Sequence, residues 1–146
     1  MLVYLDSSVL GRAYLSDEPD HEKAWALLAG DDFLVTSTLA LLEVTSALVR
    51  ASRTGRIGDL AGVLLALEAD SSADGPVTVI SADQSLVENA ALGIVREHGL
   101  RTLDALHLAV ADLSARPLAG DDEQVAFASR DAAQRTVAEQ LGFATV

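Results

Sequence analysis

Short apolar runs alternate with helical patterns along the chain, and this alternation constrains the fold more than any other feature. The apolar runs are LVYL (2–5), FLVTS (33–37), VTVIS (77–81), VAFAS (125–129) and FATV (143–146). Apolar residues at helical spacing predict helices over 8–15, 21–29, 38–51, 57–69, 83–97, 102–113 and 132–141. Uniformly apolar strands separated by helices are typical of a parallel sheet covered on both faces. The sequence therefore predicts an α/β protein.

The length and composition favour one domain spanning residues 1–146. Neither turn-rich stretch, 69–76 or 114–124, is long enough for a domain linker.

No charged and apolar leader precedes Asp6, and no apolar run approaches the length of a membrane span, so a soluble cytoplasmic protein is expected. The absence of cysteine excludes disulfides and thiolate metal sites, and three scattered histidines disfavour a zinc hydrolase.

The formal net charge of −12 argues against binding nucleic acid by bulk electrostatics. Such a surface favours basic partners or bound cations. A local nucleic-acid site remains compatible with it, and Arg50, Arg53 and Arg56 near the end of the third predicted helix are candidates for contacting phosphate. Their simpler interpretation is complementing the helix dipole.

Four acidic residues occupy positions that a parallel sheet would bring to one edge. Asp6 follows the first strand, Glu43 lies in the second turn of the helix after the second strand, Asp104 opens its helix, and Asp131 follows the fourth strand. In βαβ units each strand ends and the next helix begins at the same edge, where ligands bind. We therefore expect these four side chains to converge.

Each acid also has a simpler interpretation. Asp6 and Asp131 are suited to cap the helices that follow them, and Asp104 in a first helical turn is stabilised by the helix dipole. Glu43 is harder to explain in this way, because its helical neighbours are small or apolar and an unpaired buried carboxylate is costly. Close carboxylates repel one another, and hard divalent cations such as Mg²⁺ or Mn²⁺ relieve the repulsion. Metal-assisted hydrolysis of a phosphodiester fits this set.

The segments YLDSSVL, LALLEVTSAL, LRTLDALHLA and FASRD resemble the acidic motifs of the PIN domain, most closely those of VapC toxins from bacterial toxin–antitoxin pairs. The resemblance implies a three-layer α/β/α fold with a central parallel sheet of four to five strands. It also implies a Mg²⁺-dependent endoribonuclease, with Mn²⁺ as a substitute ion, in which Asp6, Glu43, Asp104 and Asp131 bind the metal. The implied partners are RNA of the tRNA or rRNA class, a second copy in a homodimer, and a VapB-like antitoxin with a basic C-terminal segment.

Some alternatives stay open at this stage. Asp121 and Asp122 compete with Asp131 as the fourth acid, because the connection before the fourth strand is long for the family. His107 lies three residues after Asp104 and is suited either to bind a carboxylate or phosphate or to a structural role. The sequence does not distinguish RNA from DNA, or one ion from two.

Other functions are less well matched. A phosphatase of the haloacid-dehalogenase kind needs an acid where Ser8 stands, and a receiver domain needs a late lysine, whereas Lys23 is the only lysine in the chain. A non-toxin PIN-type nuclease, or a catalytically silent α/β interaction module whose acids only cap helices, is the remaining alternative.

Overall fold

The computed structural model describes residues 1–146 and contains a five-stranded sheet in which all neighbouring strands are parallel. The strands are β1 (Leu2–Leu5), β2 (Phe33–Ser37), β3 (Val77–Ile80), β4 (Val125–Ala128) and β5 (Ala144–Thr145). Their order across the sheet is β3-β2-β1-β4-β5. The predicted parallel sheet is confirmed, with the larger of the two expected strand numbers.

Helices cover both faces of the sheet. They are α1 (Ser7–Leu10), α2 (His21–Leu28), α3 (Thr38–Arg53), α4 (Leu60–Asp70), α5 (Gln84–His98), α6 (Thr102–Val110) and α7 (Ala132–Gln140). Side chains of β1 alternate between the faces: Leu2 and Tyr4 pack with α5, α6 and α7, and Val3 and Leu5 with α1 to α4. The fold is thus the expected three-layer α/β/α sandwich. None of its helices is long and apolar enough to cross a membrane.

Three predicted helices differ from the observed ones by three residues or more at one end. The helix predicted over 8–15 is a short α1 that continues as a 3₁₀ helix (Gly11–Tyr14). The helix predicted over 57–69 begins only at Leu60, because the Asp59 side chain accepts the amide of Gly62 and caps the helix there. The helix predicted over 102–113 ends at Val110 and continues as a π-helical turn (Ala111–Ala115). Apolar periodicity alone reveals neither the residue that caps a helix nor a change of helical pitch.

The chain reverses direction across the sheet beside β1. It builds β1, β2 and β3 outward, then returns through α5 and α6 to place β4 on the free side of β1, with Leu5 opposite Ala128. The helices that leave β1 and β4 therefore depart to opposite faces. Such a switch point leaves a crevice at the carboxyl ends of the two strands, which is the usual ligand site of an open parallel sheet.

The aromatic centre of the core lies beneath this crevice, and it yields a stability prediction. Phe127 is fully buried and stacks on Tyr4, with ring centroids 5.3 Å apart. We expect Phe127→Ala to lower the free energy of unfolding by about 3–5 kcal/mol in urea titration, because it leaves a cavity. Phe33→Ala is the matched control: its side chain is 42% exposed, so we expect a loss of about 1–2 kcal/mol. Equal losses would contradict the position of Phe127 in the core.

Candidate active site

Asp6 lies at the carboxyl end of β1 and is almost fully buried. Its Oδ2 accepts the Ser8 hydroxyl at 2.6 Å and the Ser8 amide at 3.3 Å, and so caps α1. The hydroxyl of Ser129, at the end of β4, lies 3.3 Å from the same oxygen. The predicted capping role of Asp6 is therefore confirmed. Its Oδ1 is turned toward α6, where it lies 3.3 Å from Nε2 of His107.

Glu43 projects from the second turn of α3 toward the same imidazole. Its Oε1 is 2.5 Å from Nε2 of His107, whose ring is buried. Hydrogen bonding to this ring explains how a carboxylate is accommodated among small and apolar helical neighbours. Glu43 and Asp6 thus share one ring nitrogen, which brings residues of β1, α3 and α6 together.

Asp104 and Asp131 form a second pair on the outer side of the crevice. Arg101 joins them: its Nε donates to Asp104 at 2.8 Å, and its Nη2 to Asp131 at 3.3 Å. The hydrogen-bonded carboxylate of Asp104 raises the pKa of Arg101 above its ordinary value. The Arg101 side chain is 78% exposed, so this cation is held loosely between the two acids.

Gln134, on α7, connects the Asp6–Glu43 pair to the Asp104–Asp131 pair. It is fully buried, its Oε1 accepts the Ser129 hydroxyl at 2.6 Å, and its Nε2 donates to the backbone carbonyl of Asp104 at 3.1 Å. Its backbone amide donates to Asp131 Oδ1 at 2.9 Å, which makes Asp131 the cap of α7. One side chain therefore fixes the start of α6 relative to the ends of β1 and β4.

The structure brings all four predicted acids to the carboxyl edge of the sheet, as two linked pairs. In this arrangement no group of three or more acidic or histidine side chains stands close enough to hold a metal ion. Asp121 and Asp122 do not join the acids, because they precede β4. The neighbouring Glu123 lies 3.7 Å from the amino group of Met1, at the opposite edge. Of the three candidates for the fourth acid, only Asp131 lies at the carboxyl edge with the other three.

A cleft of about 540 Å³ opens beside Glu43, between α1, α3 and the start of α6. Arg50 is the one basic residue in its wall, where it donates to Ser46 at 2.8 Å on the exposed side of α3. Arg56 is instead paired with Asp17 and Glu18, away from the four acids. Of the arginines near the end of α3, Arg50 is therefore the one placed to contact a molecule bound in this cleft.

Arg101, Tyr4 and Gln134 were not identified from the sequence. Arg101 stands within the LRTLD segment, but helical spacing does not reveal a contact with Asp131, which is 30 residues away. Tyr4 occupies a strand position that appears only as part of an apolar run, and Gln134 appears as an ordinary polar helix residue. The only available signal was local: an arginine three residues before an acid at a helix start.

The buried position of Gln134 leads to a prediction about the integrity of the site. Gln134→Ala removes the hydrogen bonds to the Ser129 hydroxyl and the Asp104 carbonyl and leaves a cavity at a fully buried position. Two lost hydrogen bonds together cost about 1–3 kcal/mol and the cavity adds to this, so we expect a loss of at least that size in the free energy of unfolding. Gln140→Ala, an exposed position on the same helix, serves as the control, with an expected change within about 0.5 kcal/mol. Chemical denaturation measures both, and similar small losses would contradict the bracing role of Gln134.

Comparisons with known proteins agree with the geometry. Residues 3–139 match the family model described as PIN domain. No curated protein sequence matches the chain significantly. Among solved structures, VapC20 of Mycobacterium tuberculosis, a sarcin–ricin loop cleaving toxin, is 24% identical with a TM-score of 0.58. That alignment covers 75% of this chain and 81% of VapC20.

Two further structures have the same fold. A toxin–antitoxin complex from Klebsiella pneumoniae is 20% identical, with a TM-score of 0.57, over 88% of this chain and 86% of that chain. VapBC2 of Rickettsia felis, bound to a promoter DNA fragment, is 12% identical with a TM-score of 0.62, over 100% of this chain and 98% of that chain. Because the family match extends from β1 into the last turn of α7, the chain belongs to the PIN domain family.

Proposed function

We propose that this chain is a Mg²⁺-dependent endoribonuclease toxin of the VapC type, with Mn²⁺ as a substitute ion, which inhibits translation and is neutralised by a cognate antitoxin. The observation that carries the proposal is the placement of Asp6, Glu43, Asp104 and Asp131 at the switch point of the sheet, as two pairs linked through Ser129 and Gln134. Helix capping accounts for Asp6 and Asp131 but not for Glu43 or Asp104, which lie inside their helices. The fold shared with a sarcin–ricin loop cleaving toxin supports RNA as the substrate.

The donor set fits a hard divalent cation. All four groups are carboxylates, the ligands that Mg²⁺ and Mn²⁺ prefer, and each pair already binds an N–H donor side chain. The exposed Arg101 side chain must leave Asp104 and Asp131 before an ion reaches both. When bound, such an ion supplies Lewis-acid chemistry that neutralises phosphate charge and activates water for in-line attack.

The residues of the chain have separate roles in this proposal. Asp6 is a fixed ligand, because Ser8 and Ser129 lie within hydrogen-bonding distance of its inner oxygen. Asp104 and Asp131 complete the site from the exposed side. Once released, the Arg101 guanidinium stands beside the site as a contact for the phosphate backbone, and Arg50 offers a second contact along the cleft.

The decisive experiment is cleavage of structured RNA by the purified protein with Mg²⁺, with Mn²⁺ and with EDTA. We expect metal-dependent cutting by the wild type. Asp104→Asn should lower it by at least about 100-fold, since loss of even an outer-shell partner of a metal ligand costs 10–100-fold. Equal cutting by the wild type and the variant would assign the activity to a contaminant and contradict the proposal.

Two controls separate the site from the general acidity of the chain. Asp112→Asn removes an acid that pairs with Arg116 just beyond α6, so activity should be retained. The double variant Asp121→Asn/Asp122→Asn should also cut RNA, whereas Asp131→Asn should not. If Asp131→Asn cuts RNA and the double variant does not, the fourth ligand is Asp121 or Asp122 instead of Asp131. If Mn²⁺ neither supports cleavage nor raises the thermal stability of the wild type, the interaction-module alternative replaces the nuclease.

The excess of acids supports a basic antitoxin segment as the partner. Neutralising the four site acids changes the net charge only from −12 to −8, so the surface around the site still attracts cations. Arg101 already occupies the Asp104–Asp131 pair, and a partner arginine or lysine binds there by the same chemistry. A homodimer belongs to the same proposal, and the exposed leucines Leu42, Leu86 and Leu103 provide apolar surface for contacts between chains.

A labelled arginine-containing peptide tests this charge complementarity without RNA. We expect the peptide to bind the wild type in fluorescence anisotropy, and an otherwise identical glutamine peptide not to bind. Binding should weaken in Asp104→Asn/Asp131→Asn and as salt rises from about 0.01 to 1 M, which shortens the Debye length from roughly 30 to 3 Å. Equal binding of both peptides would show that charge at this site does not select the partner.

A further inference from the structure

A buried imidazole connects the inner pair of acids to the core. The His107 residue is 1% exposed, and both of its ring nitrogens have partners. Nε2 faces Glu43 at 2.5 Å and Asp6 at 3.3 Å, and Nδ1 lies 2.9 Å from the Tyr4 hydroxyl. With a partner at each nitrogen, the ring has one favoured orientation.

The Tyr4 end of this connection is rigid. Tyr4 is fully buried and stacked on Phe127, and its hydroxyl lies 2.9 Å from Oγ of Ser37. Ser37 is the cap of α3, since its Oγ accepts the Ala40 amide at 3.1 Å. Burial raises the pKa of Tyr4, so its phenol keeps its proton for hydrogen bonding. The ring of Tyr4 therefore links the start of α3 to the imidazole.

The connection starts and ends on the same helix. It runs from Ser37 at the cap of α3 through Tyr4 and His107 to Glu43, which lies six residues after the cap. The Glu43 side chain is 27% exposed and borders the cleft, so its carboxylate has solvent available on one side. Its contact with His107 instead turns it inward, beside Asp6.

We propose that His107 is a positioning residue that holds the Glu43 carboxylate next to Asp6 as a preformed pair of oxygen ligands, with Tyr4 and Ser37 fixing the orientation of the imidazole. The ion-binding part of this inference rests on the proposed function. The hydrogen-bond chain itself rests on the contacts alone. Ligands oriented by buried hydrogen bonds bind an ion with less reorganisation, which is the reason to expect a measurable effect on ion affinity.

The first test is Mn²⁺ binding to the full chain, with free Mn²⁺ measured by electron paramagnetic resonance. His107→Leu removes the N–H donor, and we expect it to weaken binding by about 10–100-fold. His107→Gln keeps an N–H group near the position of Nε2 and should recover most of the affinity. Tyr4→Phe keeps the stacked ring but removes the hydroxyl, and it should have an intermediate effect. The control His98→Leu removes an imidazole that contacts none of the four acids, and Mn²⁺ affinity should not change.

A second measurement needs no metal and covers the case in which His107→Leu does not fold. In proton–nitrogen NMR of the metal-free protein, the Nε2–H of a ring bound to a carboxylate is protected and shifted downfield. We expect Glu43→Gln and Tyr4→Phe each to move or abolish that resonance, while Glu88→Gln, on α5, leaves it unchanged. A His107 resonance that does not respond to Glu43→Gln would overturn the inference.

The two proposals fail in different ways. If the wild type binds Mn²⁺ and a folded His107→Leu binds it equally well or more tightly, the positioning role is wrong while the nuclease proposal stands. If the wild type binds no Mn²⁺, the metal-dependent function is wrong and the ligand-positioning role falls with it.

Discussion

The reversal of strand order between β1 and β4 is the constraint on which the site depends. Because the sheet is wholly parallel, every strand presents its carboxyl end at one edge, and the switch in direction opens a crevice there. Asp6 directly follows β1, and Ser129 and Asp131 follow β4, so pairing of these two strands brings them together. The helices on the two faces then add Glu43 from α3 and Asp104 from α6.

Four carboxylates at one edge of the sheet repel one another, and the chain offsets this repulsion in two ways. The inner pair is held by His107, whose buried ring has partners on both sides, whereas the outer pair is held by the exposed side chain of Arg101. A buried side chain with a hydrogen-bond partner at each ring nitrogen is costly to move, whereas an exposed ion pair contributes little to stability. The candidate site thus combines a buried inner half, held by His107, with an outer half that is held only by an exposed ion pair.

Much of the fold was predictable, because β-rich runs and helical periodicity are local properties of the sequence. Each of the five predicted strands and seven predicted helices has a counterpart in the structure, and the parallel sheet follows from their alternation. The boundaries were less predictable. The start of α4 depends on the Asp59 cap, and the end of α6 on a change to π-helical pitch, neither of which alters the spacing of apolar residues.

The sequence by itself determined three of the acids, Asp6, Glu43 and Asp104, and limited the fourth to Asp131, Asp121 or Asp122. It also predicted that these acids follow strands or lie in early helical turns at one edge of a parallel sheet. Only the tertiary structure decided how they are paired. The contact between His107 and Glu43 spans 64 residues and that between His107 and Tyr4 spans 103, so neither leaves a periodic signal in the sequence. It also decided between Asp131 and the pair Asp121 and Asp122 as neighbours of the other acids, because the direction of β4 separates its two ends. The local sequence indicates which acidic residues are candidates for the site, whereas strand register and helix packing set the distances between their side chains.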